Sequence, residues 1–130
     1  MSPAPTRHIF HVALRDDWSA AQAAGRYEVS SRGVTLAEEG FIHASTHEQL
    51  PGTLERYYAD LDPAGLVILE IDPDACDAAG SPVRWEDVPG ARARFPHVYG
   101  PIPAAAVIAT HDFPPGSDGR FELPAHLAAR

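Results

Sequence analysis

The sequence predicts a single α+β domain in which a mixed β-sheet is flanked by helices. Three observations lead there. Segments with strand-like and helix-like hydrophobic spacing follow one another in the order β-α-β-α-β-β-β. The run Leu66–Ile71, LVILEI, is almost continuously apolar, as expected of a central strand covered on both faces. Thirteen prolines and ten glycines in 130 residues impose many turns and short elements, which argues against a helical bundle. The length suits one compact domain, residues 1–130, and 45 % hydrophobic residues suffice to bury a core.

Residues 1–6 read as a frayed start. Residues 7–14, RHIFHVAL, carry the β-branched and aromatic content of a strand. A helix follows, with Asp16 or Asp17 as cap. Trp18, Ala21, Gln22 and Ala24 lie at helical spacing, and Gly25 stops the run. Residues 25–39 are polar and glycine-containing, a loop with one short helical turn. Residues 41–45 form a second strand. Ser45 or Thr46 then caps a helix running to about Tyr58, with Pro51 in its first turn and Leu50, Leu54 and Tyr57 on one face. Asp72, Pro73 and Asp74 end the central strand, and Val83–Glu86 is a short strand. Residues 95–101 read as a constrained turn or edge segment held by Pro96, Gly100 and Pro101. Residues 105–113 form the last strand, and 114–130 a Pro/Gly-rich tail that closes in a short helix.

Composition excludes several chemistries. All ten basic residues are arginine, so no lysine is present for a Schiff base or a P-loop. The net charge of −8 disfavours nucleic acid and anionic membranes as partners. The densest basic cluster, Arg84, Arg92 and Arg94, is interleaved with Glu86 and Asp87. The single cysteine, Cys76, excludes an internal disulfide and suits a reducing cytoplasm. Asp74 and Asp77 beside it disfavour a thiolate. No apolar run approaches the ~20 residues that cross a bilayer, and the first residues lack the apolar segment of a secretory signal. The expected location is the cytoplasm.

Seven histidines are the unusual count. His8 and His11 are three apart, so on a regular strand only one of them faces a given site. His43 shares a strand face with Phe41, and the strand passes into Ser45 and Thr46 at a helix start. An imidazole, two hydroxyls and helix N–H groups brought to one spot suit an anion or a ribose. An ordinary capped helix accounts for Ser45 and Thr46 but not for His43. Glu86, beside Trp85, offers a general acid or base whose pKa an aromatic neighbour would raise, or simply an exposed strand carboxylate. His97 and Tyr99 are two apart and share one face if the segment is extended. No metal site is assigned, because the sequence places no third ligand beside His43 and His47.

The segments IFHVALRDDW from residue 9, Gly25 to Tyr27, EGFIHAST from residue 39 with Gln49, Leu66 to Pro73, Val83–Glu86, and FPHVYGPI from residue 95 with Ala106 and Val107 keep one order over residues 8–113. Together they resemble a small bacterial family, domain-of-unknown-function family 952. The resemblance implies a core of about residues 7–113 and a split sheet similar to the ADP-ribosyltransferase fold, which binds NAD in a central cleft. It implies the two-histidine branch that includes RNA 2′-phosphotransferases. By motif, His11 and His43 match the two histidines. Val98, Tyr99 and Val107 are the choices for the hydrophobic third position. The activating glutamate of many such transferases has no match, and Glu86 is the available substitute.

The resemblance and the residues together give the functional expectation. The protein is an NAD-handling transferase acting on a small-molecule or nucleotide substrate, with NAD as substrate and His11, His43 and Glu86 as catalytic residues. Tyr27, Ser45, Thr46, His97 and Tyr99 are the expected ligand-binding residues. Tyr27 or Tyr99 would stack on a ring, and Arg32 or Arg84 would neutralise a diphosphate. A 2′-phosphotransferase-like reaction is the other transferase reading, disfavoured on RNA by the acidic, lysine-free composition. The other classes are a non-catalytic nucleotide-binding or protein-interaction module, and a metal-dependent hydrolase using His43, His47, His97 and Glu86.

Overall fold

The computed structural model describes residues 8–91 and 93–113. The expectations for residues 1–6 and for the tail 114–130 lie outside them. Strand β1 (Ile9–Leu14) runs directly into helix α1 (Arg15–Ala24), which Gly25 ends in the left-handed conformation. Asp16 and Asp17 do not cap this helix. It starts one residue ahead of them, and they sit in its first turn, where carboxylates favour the helix dipole. Residues 25–39, expected to be a loop, contain three very short strands, β2 (Arg26–Tyr27), β3 (Val29–Ser31) and β4 (Val34–Thr35). The expected helical turn is α2 (Leu36–Glu39), closed by a Thr35–Glu38 capping box. Strands of two or three residues carry too little periodicity to be seen in a sequence.

Strand β5 (Ile42–His43) and helix α3 (Leu50–Tyr57) come next. Thr46 does not begin the helix. Its hydroxyl accepts from the Gln49 N–H while the Gln49 side chain accepts from the Thr46 N–H, so the two make a turn ahead of it. Leu50 and Leu54 are buried as expected, but Tyr58 rather than Tyr57 completes the stripe, and Tyr57 is exposed. Strand β6 (Leu66–Ile71) is followed by an unforeseen short helix, α4 (Pro73–Ala78), whose cap is the Asp72 carboxylate. Strands β7 (Val83–Glu86), β8 (Phe95–Val98), β9 (Ile102–Pro103) and β10 (Val107–His111) complete the described chain.

Two three-stranded sheets dominate, β1-β6-β10 and β5-β8-β7, with small pairs β2-β9 and β3-β4. The α+β split arrangement is as expected. The ladders, expected to be mixed, are all antiparallel among the described strands. The first sheet is covered on both faces. Val67, Leu69 and Ile71 pack with α1, α4 and the inner face of the second sheet, Ile42, Ala44 and Val98. Leu66 and Ile68 pack with Phe10, Val12 and the α3 residues Leu50 and Leu54. That double coverage is why β6 reads as one apolar run. Residues 95–98 are not the turn or edge segment expected from the prolines but the centre of the second sheet. Pro96 is tolerated there because its carbonyl serves the ladder, accepting from the Ala44 N–H at 3.0 Å, and needs no donor of its own.

Candidate functional site

The site lies where the two sheets part. Phe10 and Ser45 exchange two backbone hydrogen bonds, 2.8 and 2.7 Å, and form an isolated bridge between β1 and the segment after β5. In an antiparallel ladder the next such pair would be Val12 with His43. That rung is replaced by side chains. The His11 Nδ1–H donates to the His43 carbonyl, and the Tyr58 hydroxyl donates to the Val12 carbonyl at 3.3 Å. Two side chains thus serve the acceptors a zipped ladder would have used, and the strands diverge. The resulting cleft is about 1170 Å³, with His11, His43, Ser45 and Thr53 in its wall and Arg56 and Tyr57 among the lining residues of α3.

His11 is buried and fully engaged. With Nδ1 donating to a carbonyl, Nε2 carries the lone pair and accepts from the Tyr27 hydroxyl at 2.9 Å. Burial lowers its pKa to about 4, so the ring is neutral near pH 7. His8, on the other face as the spacing requires, donates to Glu70 at 2.7 Å. Tyr27 was expected to stack on a ligand, but it lies beneath His11 with 1 % of its surface exposed, so it offers no face to the cleft. Its hydroxyl is pushed far up in pKa by burial.

His43 is half-exposed. Its Nε2–H donates to the Glu39 carboxylate at 3.2 Å, which leaves Nδ1 as an acceptor. Its pKa is lowered, by burial first and by His97 in addition, against the raising effect of Glu39. Ser45 is buried and paired with Thr53, 2.9 Å between hydroxyls. Thr46 spends its hydroxyl on the Gln49 turn rather than on the cleft.

Beside the cleft, the open face of the second sheet collects the other expected residues. Register sets His97 opposite His43 on one side and Arg84 on the other. The period of two puts Phe41, Tyr99 and Glu86 on the same face. Phe41 stacks on His97, with 4.2 Å between centroids and 22° between planes. His43 meets His97 edge-on at 5.2 Å. One oxygen of Glu86 accepts from His97 Nδ1 at 2.9 Å and from the Tyr99 hydroxyl at 2.6 Å. These two bonds hold the Glu86 carboxyl below the usual range. The expected upward shift beside Trp85 does not occur, because successive strand residues face opposite sides and the two donors lie on the Glu86 side.

The arginines are placed differently from expectation. Arg32 lies at the cleft but is held bidentate by Asp60 at 2.7 and 2.8 Å. Arg84 sits over the Tyr99 ring at 5.0 Å. Arg56, which the sequence did not single out, lines the cleft and has no ion-pair or hydrogen-bond partner among the described residues. Of the third-position residues, Val98 is in the core, Tyr99 is on Glu86, and Val107 is at the edge of the first sheet. The hydrolase set comes together only in part: His43, His97 and Glu86 meet, but His47 lies against Phe10, and among the described residues no three His, Cys, Asp or Glu side chains are arranged to hold a metal ion. Cys76 is buried, its thiol pushed up to about 11 by burial and then by Asp77 and Asp72.

The family model described as "Protein of unknown function (DUF952)" matches residues 12–110. The chain belongs to this family. The crystal structure of protein CC0527 from Caulobacter crescentus is 34 % identical, covers 93 % of this chain and 98 % of its own, and superposes with a TM-score of 0.76. The solution structure of the same protein gives 31 % identity, 95 % and 98 % coverage, and 0.68. DarT from Thermus sp. 2.9, in complex with carba-NAD+, is only 13 % identical but covers 88 % of this chain and 85 % of its own with a TM-score of 0.54. This DUF952 domain therefore has an ADP-ribosyltransferase-like fold. No functionally curated protein matches it.

Proposed function

We propose that this DUF952 protein binds NAD in the cleft between its two sheets and transfers ADP-ribose from it to a small acceptor. The observation that carries the reading is the split itself. The sheets are held apart by His11 and Tyr58, and His43 stands half-exposed at the opening with one ring nitrogen oriented by Glu39. A neutral imidazole with a free Nδ1 accepts a hydrogen bond from a ribose hydroxyl. Arg56 is the cleft's available cation for a diphosphate, and the exposed ring of Tyr57 on the rim offers a stacking face. The cleft exceeds the ~300–1,000 Å³ of usual small-molecule pockets, as an extended dinucleotide requires. The fold shared with DarT, whose structure holds a carba-NAD+ molecule, supports the same ligand class.

His11 enters this reading as a positioning residue, since both its nitrogens are already bonded. The test is calorimetric titration of NAD into the wild type and His43→Ala, with nicotinamide release followed in the same samples. Saturable binding that weakens at least ~10-fold in the variant, a loss of about 1.4 kcal/mol, is the expected result. No binding at millimolar NAD by a folded wild type would overturn the reading. Binding without release would favour a nucleotide-sensing module, the alternative suggested by the engagement of His11.

A further inference from the structure

The two buried imidazoles of the site are treated differently by their surroundings. His11 has both nitrogens satisfied within the protein, the pattern of a structural histidine. His97 is equally buried, yet only Nδ1 is bonded, and Nε2 has no partner among the described residues. A carboxylate only accepts, so the bond to Glu86 fixes the proton on Nδ1 and leaves the Nε2 lone pair open. Phe41 stacked on the ring fixes its plane. The Tyr99 hydroxyl on the same Glu86 oxygen keeps that carboxylate ionised and in place. His97 does not itself line the cleft, but His43, directly across the ladder, and Phe95, two residues earlier on the same face, both do, so the ring lies next to the residues of its wall. An oriented imidazole with one free nitrogen beside a substrate cleft has the geometry of a general base held by a third group.

We propose that His97, oriented by Glu86, is the general base that deprotonates a hydroxyl acceptor, water being the simplest, in the transfer reaction. The inference rests on the NAD reading above. The acceptor O–H gives its proton to Nε2 of His97, and the freed oxygen pair forms a bond to C1 of the nicotinamide ribose. The C1–N bond breaks, and its electron pair goes to the pyridine nitrogen, so nicotinamide leaves neutral. The imidazolium is balanced by Glu86 until its proton passes to solvent. His97 is the catalytic residue and Glu86 a positioning residue.

The experiment measures NAD affinity and the rate of nicotinamide release with water as acceptor. It compares the wild type, His97→Gln, His97→Ala with and without added imidazole, and Glu86→Gln. NAD affinity should stay within about twofold throughout. Release should fall on the order of 100-fold or more in His97→Gln, the usual scale of general-base catalysis, and about tenfold in Glu86→Gln. Added imidazole should restore part of the rate of His97→Ala, which a merely structural role would not allow. If His97→Ala does not fold, the other two variants carry the test. Wild-type release by His97→Gln, or loss of NAD affinity in parallel with rate, would overturn the base role. So would a wild type that binds NAD and never releases nicotinamide, which would leave the cleft reading standing. A wild type that binds no NAD would overturn both.

Discussion

At the scale of single residues, the site depends on which polar atoms are already spoken for. The Tyr27 hydroxyl is the only donor to His11 Nε2 among the described residues, and both groups are buried. Tyr27→Phe leaves that nitrogen desolvated and unpaired, which costs about 1–3 kcal/mol. Urea unfolding should show a lower midpoint with an unchanged slope, and an unchanged midpoint would refute the pairing. Gly100 is constrained by a neighbour. A Cβ there would run into the Ser81 hydroxyl and lie 2.9 Å from the Ser81 Cβ. Ser81 cannot retreat without losing its 2.6 Å bond to the Pro101 carbonyl. Gly100→Ala should therefore destabilise by roughly 1–3 kcal/mol, read as a lowered Tm.

At the scale of elements, α3 does two jobs. Leu50 and Leu54 anchor it on the first sheet, and Tyr58 at its end occupies the Val12 carbonyl that would otherwise help zip the sheets together. Leu54→Ala removes a fully buried side chain and should cost about 2–5 kcal/mol in denaturant unfolding. The sequence showed this helix and its Leu50–Leu54 stripe, because periodicity is a local property. It misassigned Tyr57 and Tyr58, because one residue at the end of a helix decides between rim and core only once the packing partner is present. The same limit applies to residues 95–98. Proline content suggested a turn, whereas the strand pairs with β5 on one side and β7 on the other, and the Pro96 carbonyl accepts from the Ala44 N–H.

At the scale of the whole molecule, the junction of the two sheets ties stability to pH. His11 has its pKa lowered from 6.5 to about 4 in the folded state. Between those values the unfolded chain binds a proton that the folded protein refuses, so folding stability rises with pH through the window. Acidification from about pH 6.5 towards pH 4 should remove on the order of 3 kcal/mol, with His43, also lowered, acting in the same direction. Thermal unfolding across this range should show Tm falling steadily below pH 6.5. A flat profile there would contradict the burial of a neutral His11. No helix of the described residues is long and apolar enough to cross a membrane.

The sequence by itself determined the α+β class, the central strand at Leu66–Ile71, the strand carrying His43, and the helices that follow the first two strands. Those follow from local periodicity and from residue types that favour one backbone conformation. Its motifs also led to the family and to the two histidines. Only the tertiary structure decided what those histidines do. Whether an imidazole is a clamp, a ligand contact or an oriented base depends on the atoms facing its two nitrogens: the His43 carbonyl and Tyr27 for His11, Glu39 for His43, and Glu86 with an open second nitrogen for His97. In sequence those partners lie between 4 residues away, for Glu39, and 32 away, for the His43 carbonyl, and no spacing rule marks them. They meet because the two sheets share one bridge and then part.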